Sequence, residues 1–288
     1  MSIPERVLAV GWLVLASVAG LPMRVFAQNP HGGHSAANPT PRLTERAIED
    51  LETDRPDITE GSGVVGTGLW QLETGVLFQS DRTAPGTAHD MSAPNVLMRI
   101  GVSSRLELRI GGEGFLTETL STPGSEMATG GSDLELGFKY KFVDQSRAGV
   151  DIAVIPIISI PTGSDGFTTG GYDPTIKLAV ARDMPRGFGL GGNLIVASVT
   201  EDSHRFTQTS VSASLAHDLG AGWAGFWELY GASALSRDGG RAWIFDTGIT
   251  HTFGKNVQID VSVGRGLTND APDWFLGAGF AIRGFFTR

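Results

Sequence analysis

Along most of the chain, apolar and polar residues alternate with a period of two, the mark of strands with one apolar and one polar face. Val257 to Val263 shows it most cleanly: Val257, Ile259, Val261 and Val263 share one parity, against Gln258, Asp260 and Ser262. The same pattern predicts strands over Gly68–Phe78, Asn95–Val102, Leu106–Phe115, Asp133–Phe142, Val150–Pro161 and Pro174–Ala181. It continues over Phe188–Ser198, Thr207–Ala216, Trp223–Ala232, Trp243–Phe253, the opening example, and Trp274–Phe286. That makes twelve, an even number.

Short turns are predicted at Ser103–Arg105, around Asp144–Arg147, around Asp183–Arg186, at Asp218–Gly222 and at Gly254–Asn256. The connections between them read as longer, notably Gln79 to Pro94 and Leu116 to Ser132. Alternating short and long connections place every short turn at one end of an antiparallel meander. Outer-membrane barrels are built this way, with short periplasmic turns and longer external loops.

Parity alone does not separate a soluble sandwich from a membrane barrel, since either buries an apolar face. Three features favour the membrane. The apolar parity is almost free of charge over strands of about ten residues, the length of a tilted membrane strand. Aromatics on that parity gather near strand ends: Trp70, Phe142, Phe188, Trp223 and Phe253 at the short-turn rim, Phe78, Trp243 and Trp274 at the other. Such girdles mark the two membrane interfaces. Finally, a closed sheet with an even strand count satisfies every backbone group in lipid.

Composition sharpens this reading. There is no cysteine, so neither disulfides nor thiolate metal sites arise. The 31 Asp and Glu against 22 Lys and Arg give a formal charge of −9, which argues against nucleic acid as a partner. Arg6, the apolar run Val7–Leu21 and Val25-Phe26-Ala27 read as a secretory signal over residues 1–27, cleaved after Ala27. Residues 28–66 read as a periplasmic N-terminal linker and candidate plug, and 67–288 as the barrel. Within the linker, His31 and His34 make a weak metal pair, and Arg42–Asp50 suits a short helical turn. No cofactor or metal site is expected.

On the lumen parity the chain carries charges of both signs. Candidate channel-lining residues are Arg99, Glu107, Arg109, Glu135, Lys139, Glu228, Asp246, Asp260 and Arg283; Glu73, Glu113, Asp133, Lys141, Asp151 and Lys177 share the parity. A three-residue turn at Ser103–Arg105 pairs Val102 with Leu106 and sets Arg99 opposite Arg109. Two facing arginines need anions nearby. Glu107 is one; the acidic segment with Asp54, Arg55 and Asp57, folded into the periplasmic mouth, would supply more.

Thr53-Asp-Arg-Pro-Asp-Ile-Thr-Glu60 followed by Gln71-Leu72-Glu73 resembles the opening of the outer-membrane transporters grouped as the "MetA pathway of phenol degradation" family. Gly131-Ser-Asp-Leu134 with Lys139-Tyr140, Pro161-Thr-Gly163, Gln258-Ile-Asp260 and Gly264-Arg-Gly-Leu267 follow in the family's order, so the likeness spans roughly 50 to 286. It implies an outer-membrane channel for small compounds, aromatic or otherwise hydrophobic, and supplies no catalytic residues.

The sequence therefore predicts an all-β, antiparallel, transmembrane outer-membrane barrel of about twelve strands, exported by a cleaved signal. Its partners would be outer-membrane lipid, a small-molecule solute and the outer-membrane assembly machinery; oligomeric state is not read from sequence. The alternatives are a lipid hydrolase embedded in the barrel wall and a non-conducting structural barrel. A hydrolase needs a histidine beside a hydroxyl and a carboxylate. His251, between Thr250 and Thr252, has the apolar parity, but no carboxylate of that parity lies near it.

Overall fold

The computed structural model describes residues 51–82, 86–121 and 126–286. The expected signal sequence, the two linker histidines and the Arg42–Asp50 turn lie outside the described residues. Thirteen strands appear in it: β1 (Leu69–Arg82), β2 (Thr87–Gly101), β3 (Leu106–Ser121), β4 (Glu126–Gly130), β5 (Leu134–Val143), β6 (Asp151–Ile160) and β7 (Asp173–Met184). The rest are β8 (Phe188–Glu201), β9 (His204–Gly220), β10 (Trp223–Ala232), β11 (Ala242–Phe253), β12 (Val257–Gly266) and β13 (Trp274–Phe285). One helical turn, α1 (Gln145–Ala148), sits in a short connection.

Each barrel strand pairs antiparallel with its neighbours, and β1 pairs with β13 from Leu69↔Phe285 to Ser80↔Trp274. That seam closes the sheet, so no strand edge faces lipid. Twelve strands form the wall; β4 is an addition that pairs with the far end of β3, Leu116↔Gly130 to Leu120↔Glu126. The turn Ser103–Arg105 has the register that the parity requires, with Arg99↔Arg109 and Gly101↔Glu107 paired.

Two long connections need correction. Gln79–Pro94 and Leu116–Ser132 are largely strand: β1 runs on to Arg82, β2 starts at Thr87, β3 reaches Ser121 and β4 follows. Polar residues fall on both parities of these outer hairpins, as in Ser80-Asp81-Arg82 and Thr117-Glu118-Thr119, so they carry no clean alternation to read. Likewise β8 and β9 continue to a two-residue turn at Asp202-Ser203, both with positive φ (50° and 63°), as a tight hairpin turn requires.

The two faces of the wall differ in kind. Leu108, Ile110, Phe138, Ile176, Leu178, Trp227, Ile249, Ile259, Val261, Val263, Leu276 and Phe280 all point outward and are exposed. A continuous apolar belt of this extent needs a nonaqueous neighbour. At the short-turn rim, Phe188 stacks on His217 at 4.2 Å, and His251 lies between Trp223 (4.3 Å) and Phe253 (4.4 Å). The Trp70 indole donates to the Phe285 carbonyl at 3.3 Å across the seam.

Candidate functional site

The lumen side of the wall presents Arg99, Glu107, Arg109, Lys139, Glu228, Asp246 and Asp260 as buried groups, because the strand period alternates them with the lipid-facing residues. Inside that ring lies the segment just before β1. Thr53, Asp54, Asp57, Ile58, Thr59, Glu60 and Val65 are all at most 4% exposed.

Eight ionised side chains form one connected network at its centre. Arg99 meets Glu73 at 3.0 Å, Glu107 at 2.9 Å and Asp54 at 3.4 Å. Arg109 pairs with Asp54, with Glu107 at 3.0 Å and with Glu60 at 2.9 Å. Lys139 reaches Asp54 at 2.9 Å, and Lys177 reaches Glu60 at 2.6 Å. Of these, the wall supplies four cations and two anions (Glu73, Glu107), a net of +2; the segment supplies Asp54 and Glu60, a net of −2. The charges of segment and wall are complementary.

Further contacts anchor the segment's backbone, whose N–H and C=O groups would otherwise be stranded. Glu73 accepts from Asp54 N–H (2.7 Å), Glu107 from Val65 N–H (2.7 Å) and Glu228 from Ile58 N–H (2.6 Å). Asn193 accepts from Glu60 N–H (2.6 Å) and donates to its carbonyl (2.9 Å). The Thr59 hydroxyl bonds to Glu228 and Ser212, the Ser214 hydroxyl donates to Asp57, and the Gln258 amide to Thr53. Arg55 pairs with Asp260 at 3.2 Å. Its guanidinium lies so close to the wall that a Cβ on Gly279 would sit 2.5 Å from Nε, which is why a residue without a side chain stands there. Nine of the twelve wall strands thus hold the segment.

Asp54 is fully enclosed. Burial pushes its carboxyl up, and the charges of Arg99, Lys139 and Arg109 more than reverse this, holding it well below the usual carboxylate range.

Toward the outer end the filling becomes apolar. Ile58 of the segment packs with Leu77, Tyr230, Ala232, Ile244 and Phe275 of the wall, and with Leu235 and Ala271, which the β10–β11 and β12–β13 connections bring inward. On the other side of the segment a cavity of about 120 Å³ remains, walled by Leu97, Leu116 and Phe167 together with Asn95, Glu113 and Glu135. Phe167 comes from the β6–β7 connection, which Asp133 ties down by accepting from Gly163 N–H (2.9 Å) and Thr169 N–H (3.0 Å).

The residues singled out from sequence divide accordingly. Arg99, Glu107, Arg109 and Lys139 converge on Asp54; Asp260 meets Arg55; Glu228 holds the segment and stands opposite Asp246 across β10 and β11. Glu135 faces the cavity instead. Arg283 donates to the Lys255 carbonyl (2.7 Å) and so belongs to the β11–β12 turn at the rim. Glu60, Lys177, Asn193 and Phe167 were not among the candidates. Lys177 shares the lumen parity without being singled out, and Asn193 has that parity too; Phe167, in an irregular connection, gave no signal.

Residues 53–284 match the family described as "Putative MetA-pathway of phenol degradation". The chain belongs to this family. The matched span begins within the inserted segment, so segment and barrel fall within the one family match. No curated protein matches the sequence. Among solved structures, the COG4313 outer membrane channel from Pseudomonas putida F1 is similar at TM-score 0.59 and 15% identity, over 77% of this chain and 98% of that one. That likeness shows the fold, an outer-membrane β-barrel. Weaker likenesses are the CymD monoaromatic hydrocarbon channel (TM-score 0.43, 9% identity, 78% and 90% of the two chains) and the KdgM porin (0.45, 11%, 73% and 98%).

In this family member the rim histidines pack on aromatic rings, and His251 Nδ1, which an orienting carboxylate would bind in a hydrolase, has no hydrogen-bond partner among the described residues.

Proposed function

We propose that the protein is an outer-membrane channel for small hydrophobic compounds, single-ring aromatics among them, and that residues 51–65 are its plug. The observation that carries this reading is the cavity beside the segment. A hydrophilic solute needs a wet path, yet the surface of this cavity is mostly apolar, with Val96, Leu97, Leu116 and Phe167 in its wall beside the charged groups. Its volume, about 120 Å³, is on the scale of a ring: an apolar cavity of roughly 150 Å³ accepts benzene. The ionic network around Asp54 would keep the lumen closed to ions while the segment is docked.

The protein would reach the outer membrane through a cleaved signal and the assembly machinery, and would do no covalent chemistry. Uptake tests the reading. Cells carrying the protein should accumulate radiolabelled toluene at submillimolar supply faster than cells without it, and a folded variant with Phe167→Trp, which fills the cavity, should lose the gain. Equal uptake by all three strains would leave a structural barrel as the better account.

A further inference from the structure

The cavity has a second property that a purely apolar path does not require. Asn95 and Glu113 stand directly opposite each other on β2 and β3, both on the cavity side. Asn95 Nδ2 and Oδ1 and Glu113 Oε2 are shielded from solvent and have no hydrogen-bond partner among the described residues. Buried polar atoms are nearly always paired, and three orphans on adjacent side chains mark a place where something else bonds. Two neighbouring carboxylates do not share this state. Asp133 is saturated by Gly163 and Thr169, and Glu73 by Arg99, Gln71 and Asp54 N–H.

The local wall explains how the site arises. β3 pairs with β5 as far as Gly111↔Glu135 and with β4 only from Leu116↔Gly130. Between them Glu113 is held by its backbone: its carbonyl accepts from Ser132 N–H (3.0 Å) and its N–H donates to Ser132 Oγ (2.7 Å). Its side chain is left free to face inward. Across from it, Pro94 has no N–H to give the ladder, and the β2–β3 pairing resumes at Asn95.

We propose that this cavity binds a single-ring compound carrying a hydrogen-bond-donating head, a hydroxyl or a protonated amine. The ring lies among Leu97, Leu116 and Phe167. A protonated amine donates to both Glu113 Oε2 and Asn95 Oδ1; a hydroxyl donates its one proton to Glu113 Oε2 and accepts from Asn95 Nδ2. Glu113 and Glu135, with Glu73, Asp54 and Asp133 in the same lining, outnumber its one cation, Arg55, and so disfavour anions such as benzoate. The proposal rests on the channel reading for its choice of a small ring as ligand, but binding and flux are separate measurements.

Calorimetric titration of the folded, detergent-purified barrel tests it, with benzylamine, benzyl alcohol, toluene and benzoate as probes. Benzylamine and benzyl alcohol should bind roughly tenfold more tightly than toluene, the scale of one satisfied buried hydrogen bond, and benzoate should not bind. The ratio of amine to alcohol tells whether charge or hydrogen bonding dominates. Asn95→Leu and Glu113→Gln, checked for heat-modifiable migration as folded barrels, should bring benzylamine down to the level of toluene and leave toluene unchanged. Toluene binding as well as benzylamine, benzoate binding, or no probe binding at all (a cavity that holds only water) would overturn the proposal. Binding with the stated preference but no uptake would instead defeat the channel reading.

Discussion

Replacing Asp54 with Asn removes one charge from the network and almost no volume. In the native protein that carboxylate contacts Arg99, Arg109 and Lys139, each at most 3% exposed. Without it, the network of four cations and four anions holds three anions, so one buried positive charge is unmatched. Breaking one partner of a buried pair costs about 3–5 kcal/mol. The amide still accepts one hydrogen bond, which points to the lower end, about 3 kcal/mol. At 1.36 kcal/mol per decade, the ratio of released to docked segment should rise by a factor of roughly 150. The assay is cleavage after Glu60, fully buried when docked, by a glutamate-specific protease under conditions where reclosing is faster than cutting. The cleavage rate should then follow the open population, roughly 150-fold faster in the variant at equal barrel integrity. A rate within twofold of the native protein would refute the assignment of the segment's hold to this network.

Other outcomes follow from the same geometry. Docking should resist acid: with the Asp54 carboxyl depressed below its ordinary value of 3.8, its contribution is complete above that value and lost only as pH falls through the depressed one. Protection of Glu60 that is flat from pH 7 to 5 is the expected profile, and release near pH 5 would contradict it. Asp260→Asn unpairs Arg55 alone and should raise Glu60 cleavage less than Asp54→Asn does, by about tenfold, the scale of one lost charge-assisted bond. Val261→Lys puts a charge in the middle of the outward face of β12 and should destabilise folding into lipid vesicles by about 2–4 kcal/mol in urea titrations. Loss of under 0.5 kcal/mol would mean that this face does not meet hydrocarbon.

Much of the wall is legible in the chain because lipid imposes a strict rule on alternate residues. Val257–Val263 and Leu134–Phe142 obey it, and even the Arg99–Arg109 pairing follows from parity and a three-residue turn. The rule lapses where strands leave the membrane. Thr87–Pro94 and Glu126–Gly130 carry polar residues on both parities, so no clean alternation marks them, and both read as loop while forming strand. The partners of Asp54 were legible in part, since facing arginines call for anions. Glu60 was not: a segment of irregular backbone has no period, and which of its acids reaches Lys177 is decided only by how it lies in the lumen. Phe167 is harder still, because its burial depends on Asp133 bonding a connection thirty-odd residues away.

The most direct test of the plugged-channel account is single-channel conductance in planar bilayers, comparing the native protein with one lacking residues 41–62. With the ionic network and Ile58 gone, the variant should show a clear increase in conductance in 1 M KCl over a nearly closed native barrel. Equal conductance in the two proteins would contradict it.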